Sequence, residues 1–512
     1  MLFNEKAVAQ TREKIWLAAV ASLLLLILRR LLFAGTRPWN KNYPPGPLAL
    51  PIIGNLHQFP KKDIHLAYQK WAKQYGPIFS LQLGQQTLVV LASGELVRKL
   101  IEKRSANYSD RQNLYIRELY EDTHVVFRGH DDMWRLDRRL YHANLNVNAA
   151  KRYIPYQSLE TLQLCADLLD TPERFFDHIK RASSSIASSL SYGFRISNID
   201  SAVMAQMSNN ASYLSKLGAQ SKLLDWYPAL RNLLRFAPIW LRPFAREAAM
   251  HLKDEKELFG KLYRDAKSSP MPSFSADIAA SQKAWKGTPM GELLDEQAAA
   301  FTAGVGFEAG TDTTKCTLIG FVQAMALFPE VVTKAHKEID RVVGDGRLPT
   351  FDDISSLPYV RGIVKEVLRW QPTTINGGIP HATTTDDTID GYDIPAGAGV
   401  VLAVWTVNND PDNFPDPRTF EPDRHEADIK AGETTQVSEA RNRVWTFGAG
   451  RRVCPGQHLA ENSLSIAIMR MLWAFDISKE RDEDGNAIPI DPAAITQGII
   501  VCPLPFRQVD SQ

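Results

Sequence analysis

Phe447-Gly-Ala-Gly-Arg-Arg-Val-Cys-Pro-Gly456 places one cysteine between glycines and beside two arginines, and the rest of the chain reads as a way of building a pocket over that sulfur. The run from Leu459 to Phe475 is rich in Leu, Ile, Ala and Met and lacks proline and glycine, which predicts a buried helix starting at Pro455. Cys454 then sits at a helix N-terminus, where free backbone N–H groups, Arg451 and Arg452 depress a thiol pKa and make thiolate the resting form. A thiolate is a nucleophile or a metal ligand. A lone cysteine is more often a small core residue. Here Gly448 and Gly450 allow the backbone to bend tightly and approach a flat object, and Gly456 removes a side chain beside the sulfur.

The bulk composition excludes some partners. The 512 residues carry 59 Lys plus Arg against 58 Asp plus Glu, a net charge of +1 that gives no reason to expect nucleic-acid binding. Cys165, Cys316 and Cys502 stand singly in apolar stretches, with no CxxC pair and no Cys/His cluster of zinc spacing. They read as buried, small and inert, as in a reducing compartment.

Upstream, Ile15 to Leu28 is apolar and is followed by Arg29 and Arg30. The run is short against the roughly 20 residues of a spanning helix. No small-residue cleavage site follows it and it has little polar face, so an uncleaved anchor with the arginines at the headgroups is the expected reading. Residues 1–35 form that anchor and 36–49 a stiff hinge around Pro44-Pro45-Gly46-Pro47. Residues 50–512 form one catalytic domain without internal repeats. Basic residues number four after the run and three before it, a weak bias that puts the bulk of the chain on the cytosolic side.

Within the body, Pro77 to Leu91 predicts a small antiparallel sheet, and Thr388 to Val407 reads as strands around two glycine turns. Most of the remainder is helical in pattern. Asp295 to Phe328 is the expected central helix, and its Gly304-Val-Gly306 is not a dinucleotide fingerprint because no strand precedes it. Threonines crowd its middle, at Ala309-Gly-Thr-Asp-Thr-Thr314. The Thr313 hydroxyl can bond to the Ala309 carbonyl four residues back, bending the helix and opening a groove, with Gly310 leaving room for a diatomic ligand. Trp134 and Arg138 share one helix face, as do Glu366 and Arg369. Trp226 to Phe244 mixes aromatics and aliphatics with three arginines, and is either a second membrane contact or a packed helix pair.

Phe447, Gly450, Arg452, Cys454 and Gly456 stand in the spacing of the haem-binding loop of cytochrome P450 monooxygenases, and the chain resembles that family over nearly its whole length, with five motifs in order. The resemblance implies a mainly α fold with small β-sheets, a triangular helical prism around a buried heme b whose axial ligand is the Cys454 thiolate. Phe447, Gly448, Gly450, Arg452, Gly456 and Ala309 then surround the cofactor, Trp134 and Arg138 hold its propionates, and His381 is a third donor. Gly310, Asp312 and Thr313 take the oxygen-binding and proton-delivery roles. Glu366 and Arg369, closed by Arg424, form a buried structural network. The pocket is expected along Tyr108 to Val126 (Tyr115, Leu119), Gln371 to Gly378 (Thr374, Ile375) and Pro492 to Val501 (Thr496).

The family also implies partners: O2, an apolar small-molecule substrate, the lipid bilayer of the endoplasmic reticulum, and an NADPH-dependent reductase docking near Arg451, Arg135 and Arg139. No flavin or nicotinamide domain is left over in the sequence. Tyr108-Ser-Asp-Arg111 and Phe307-Glu-Ala-Gly310 resemble fungal members acting on polyketide, terpenoid or alkaloid intermediates. Oxidative coupling, desaturation or ring closure without oxygen insertion stays open. A reductase-independent isomerase or dehydratase is opposed by the intact Asp312-Thr313 pair, and a haem sensor or carrier by the anchor and that same pair.

Overall fold

A computed structural model describes residues 41–430 and 443–506, together with Trp16, residues 18–22 and the backbone of 508–511. The expected anchor, and the hinge up to residue 40, lie outside the described residues apart from those few near position 20. The body is mainly helical with small mixed sheets. The helices that frame the site are α1 (Ile64–Tyr75), α2 (Asp132–Leu145), α3 (Ile154–Asp170), α4 (Phe175–Tyr192), α5 (Ala202–Gln220), α6 (Ala245–Lys267), α7 (Glu296–Leu327), α8 (Pro329–Val342), α9 (Pro358–Trp370) and α10 (Gln457–Ala474).

The central helix α7 begins where the Asp295 carboxylate accepts the Ala298 N–H at 2.7 Å and stops just before Pro329, within one residue of the expected bounds. Its two halves bury different cores. Ala299 to Phe307 packs into a cluster with Leu136 and Leu140 of α2, Met204 and Tyr213 of α5, and Leu258 and Phe259 of α6. Leu318 to Ala326 packs into a second cluster with α3, α4, α8, α9 and α10. Between them, residues 308–313 keep accessible surface in the middle of a core helix except at Thr311. Gly304 lets α6 cross closely, since a Cβ there would stand 2.4 Å from the Phe259 ring. That steric role explains the glycine that mimics a nucleotide fingerprint.

The main sheet runs in the order β1-β2-β7-β4-β3, from β1 (Ile78–Leu83), β2 (Gln86–Leu91), β3 (Asp110–Arg111), β4 (His381–Ala382) and β7 (Gly399–Leu402), and β5 (Asp387–Ile389) pairs with β6 (Tyr392–Ile394). The β1–β2 hairpin is the expected one. The later strand segment is shorter than predicted: pairing ends at Leu91↔Leu402, where β2 itself ends, and Val404–Asn408 is a helical turn that buries Val404 and Val407. Two cysteines also depart from the reading. Cys165 and Cys316 are buried, but Cys502 is half-buried and its thiol hydrogen-bonds that of Cys316, so they are not isolated.

Candidate functional site

Gly448 and Gly450 both take positive φ, 74° and 64°, in the loop before Cys454. At Gly450 a Cβ would stand 2.2 Å from the Ile101 carbonyl oxygen, so only glycine fits both the turn and the approach. The Cys454 N–H donates to the Phe447 carbonyl at 2.9 Å and closes the loop on itself. The following helix starts at Gln457, two residues later than predicted, because Pro455 and Gly456 complete the turn. At Gly448 and Gly456 a Cβ would meet nothing within 4 Å, so the loop presents an open, flat face beside the sulfur.

The thiol's electrostatics differ from the sequence expectation. Burial pushes the Cys454 thiol up, and only the Gly456 N–H and the charge of Arg138 draw it down. Arg452 is turned away, its Nε donating to Ser109 O at 2.8 Å and its Nη2 to Arg128 O at 2.9 Å, and Arg451 is exposed. The loop's own arginines therefore do not make a thiolate. Binding a metal cation would, because a coordinated thiol is deprotonated outright.

Across the loop, Trp134 is buried on α2, with the Arg452 guanidinium carbon 4.4 Å and that of Arg138 6.0 Å from its ring centre. The antiparallel pairing of β3 with β4 sets Arg111 opposite His381. Arg111 donates to the Ile379 carbonyl, while its Nε is buried without a partner. Among the described residues no carboxylate forms an ion pair with Arg111, Arg138 or Arg452, and the Trp134 indole N–H has no acceptor. Burial pushes all three guanidinium groups down, with Arg452 adding repulsion at Arg111 and Arg138 adding it at Arg452, which is pushed to about 10. Three unneutralised cations and an indole donor at one place fit the two carboxylates of a haem, beside a thiol and an open loop face.

His381 fits that set less well. It is buried, its Nδ1 bonds to the Tyr108 carbonyl at 2.8 Å, and burial together with Arg111 and Arg452 pushes it down to about 3. A neutral ring with Nδ1–H donated leaves a lone pair on Nε2, which cannot donate to a carboxylate. Arg111 is the donor the sequence reading missed. It lay within a pattern noted only as lineage-like, and its role needed the strand pairing. Also unread was the chain from Arg128 to Asp137 (2.5 Å) to the Thr302 hydroxyl of α7 (2.8 Å), which ties the carbonyl that holds Arg452 to the central helix.

On α7 the Thr313 hydroxyl donates to Ala309 O at 2.7 Å. Ala309 and Gly310 keep accessible surface there, and a Cβ at Gly310 would come no nearer than 3.4 Å to Ala187. Asp312 is ion-paired with Lys315 at 2.6 Å, a partner sequence reading did not name.

Below, Arg369 forks onto both oxygens of Glu366 at 2.8 and 2.7 Å, and Arg424 adds a third contact at 3.2 Å. His425 contributes a fourth, at 2.8 Å. Burial pushes the Glu366 carboxyl up, but the hydrogen bonds and charges of Arg369 and His425 outweigh it and hold it at about 2.

The residues expected along the pocket each have local partners. Tyr115 is buried with its hydroxyl on Pro243 O at 3.1 Å, and Leu119 packs at the edge of the upper core. Thr374 donates to Thr446 O at 3.1 Å, and Ile375 packs on Ile495 and Val501. Thr496 accepts the Cys502 N–H at 2.9 Å, so its hydroxyl closes the C-terminal turn. From that turn it is Ile499 that packs against the upper core.

Arg135 pairs with Asp132 at 2.6 Å on the surface, and Arg139 lies over the Trp285 ring at 5.3 Å. In the segment 226–244, Phe236 and Trp240 are 90% and 73% exposed, with Ile239, Leu241 and Leu233 also exposed. A fully packed helix pair does not describe it.

Comparison with known proteins places this geometry. The family model described as cytochrome P450 matches residues 44–503. The cytochrome P450 monooxygenase virE of Hypocrea virens is 40% identical over 505 residues, covering 96% of this chain and 89% of that protein. The cytochrome P450 monooxygenase fsoB of Humicola fuscoatra is 39% identical, covering 94% and 90%. The cytochrome P450 monooxygenase fogE of Aspergillus ruber is 37% identical, covering 90% and 84%.

Proposed function

The chain belongs to the cytochrome P450 family and is a monooxygenase; from that premise we propose that it oxidises an apolar small molecule of fungal secondary metabolism, by hydroxylation or a related oxygen insertion. The observation that carries the reading is the closed loop that presents Cys454 beside the unneutralised cations Arg111, Arg138 and Arg452. A heme b held there would supply the oxygen-activating chemistry, and the Cys454 thiolate would be its electron-rich protein ligand. The chain's residues do the rest.

Arg111, Arg138, Arg452 and the Trp134 indole would hold the propionates, and Phe447, Gly448, Gly450 and Gly456 would leave the macrocycle room. Ala309 and Gly310, which keep accessible surface on the central helix, would leave room for oxygen and substrate. Thr313 holds a proton at Oγ1, and Asp312, tethered by Lys315, passes protons to it from solvent. Glu366, Arg369, Arg424 and His425 lock the segments beneath and touch no reacting atom.

Electrons come from a membrane-bound NADPH-dependent reductase docking on the basic side near Arg451, Arg135 and Arg139. The N-terminal run anchors the chain in the endoplasmic reticulum membrane with the catalytic body in the cytosol. Phe236, Ile239, Trp240 and Leu241 dip into the same bilayer beside the entrance, which their exposure supports.

The test is a host expressing this chain with a reductase, fed candidate intermediates and analysed by mass spectrometry against Cys454→Ala. A product heavier by one oxygen, absent from the variant, is expected. A product lighter by two hydrogens replaces insertion with coupling or desaturation.

A further inference from the structure

The roof above the central helix holds polar atoms that the surrounding residues leave unpartnered. Glu308 stands one turn before Asp312 on the same helix face. It is half-buried, and its Oε1 is buried with no hydrogen-bond partner. The Tyr213 hydroxyl and Asn210 Nδ2, three residues apart on the buried face of α5, are unpartnered as well. So is the hydroxyl of Tyr192 at the end of α4, whose ring meets Phe307 edge-on at 5.8 Å. Tyr120, Tyr192, Tyr213 and Phe307 belong to one packed cluster, and Tyr120 lies within electrostatic range of Glu308 and Tyr213, which places these groups together.

The neighbouring acids are not the missing partners. Glu255 engages His124 at 3.0 Å and Asp312 engages Lys315 at 2.6 Å. Burial, with the like charges of Glu255 and Asp312 beside it, raises the Glu308 carboxyl well above the usual range, which favours its neutral, donating form. Every unpartnered group here is then able to donate: two phenols, an amide N–H and a carboxylic O–H. A buried donor left unmet is costly, and a ligand that meets it recovers that cost. A cluster of such donors is complementary to a ligand rich in acceptors, whereas a cation could use only the phenol and acid oxygens and would leave the amide N–H unmet.

We propose that Glu308, Tyr213 and Asn210 form a donor site in the pocket roof that binds a carbonyl oxygen of the substrate and orients the carbon to be oxidised toward Ala309. The proposal rests on the monooxygenase reading above. It narrows the substrate class to ketones and related carbonyl compounds.

The test uses the full haem-loaded chain in detergent and calorimetric titration with three probes: decalin, 2-decalone and cyclohexyltrimethylammonium. The ketone is expected to bind about tenfold more tightly than the hydrocarbon. Glu308→Ala and Tyr213→Phe should each erode that preference while decalin still binds, which reports an intact pocket. Glu308→Gln keeps an N–H donor and should retain most of it. Equal affinity for ketone and hydrocarbon overturns the proposal, as does a preference that survives Glu308→Ala. Tightest binding of the ammonium, lost in Glu308→Gln, also overturns it and assigns Glu308 to cations instead. If the reduced, carbon-monoxide-bound protein lacks a thiolate-haem spectrum yet the ketone preference follows Glu308, the donor site stands and the monooxygenase reading falls.

Discussion

Arg452 lies over the indole of Trp134, its guanidinium carbon 4.4 Å from the ring centre, and so joins the cysteine loop to α2 across more than 300 residues of chain. The same guanidinium donates to two backbone carbonyls and, among the described residues, forms no ion pair with a carboxylate. Arg452→Ala is expected to weaken haem retention by about 10- to 100-fold, from the lost stacking and the two carbonyls left bare. The ratio of haem absorbance to protein after gel filtration reads this directly. Arg452→Lys should recover only part, because an ammonium cannot fork and stack at once. Full haem content in the alanine variant would remove Arg452 from the cofactor site.

The Glu366 network is fully buried, so removing one partner strands the others. Glu366→Gln is expected to cost about 3–5 kcal/mol and to yield chain that holds little haem. A thermal melt of the expressed variant measures it. An unchanged melting temperature would mean that the pairing does not hold these segments.

The same carboxylate sets an acid limit. Its folded pKa of about 2 lies below the ordinary 4.5, so its contribution to stability is fully present above about pH 4.5 and is lost as the pH falls toward 2. Denaturant titrations across that window should show the wild type losing stability with acid. Where Glu366→Gln folds at all, its stability should vary less with pH there. Parallel slopes for the two proteins would assign the acid sensitivity to other carboxylates.

Thr313 holds its hydroxyl on Ala309 O at 2.7 Å, one turn back on the central helix. In Thr313→Ala, product formed per NADPH should fall by about tenfold or more while oxygen uptake persists, the excess appearing as peroxide. Thr313→Ser keeps the donor and should stay coupled. Equal coupling in wild type and alanine variant would move proton delivery elsewhere.

The exposed stripe of Phe236, Ile239, Trp240 and Leu241 is tested in a chain lacking residues 1–37. Trp240→Asp should reduce co-sedimentation with lipid vesicles by about tenfold, the equivalent of one large apolar side chain returned to water. A truncated wild-type chain that ignores vesicles altogether would end the membrane-contact reading.

The sequence alone determined the features governed by local rules. The glycine and proline spacing around Cys454, the bounds of α7, the β1–β2 hairpin and the Thr313–Ala309 bond follow from φ preferences, helix caps and four-residue spacing, all set by near neighbours. The Glu366–Arg369 fork is likewise local. Tertiary structure alone decided what depends on residues far apart in the chain. Pairing of β3 with β4 brings Arg111 opposite His381 across 270 positions and makes one a donor while the other is held neutral. Of the loop arginines next to the sulfur in sequence, Arg452 is held by carbonyls of distant segments and Arg451 is exposed, so burial governs that thiol. Charges and unpaired donors act through space and not along the chain, which is why His425 at Glu366 and the roof around Glu308 were visible only once the helices were packed, whereas Lys315 at Asp312 is a local pair three residues on.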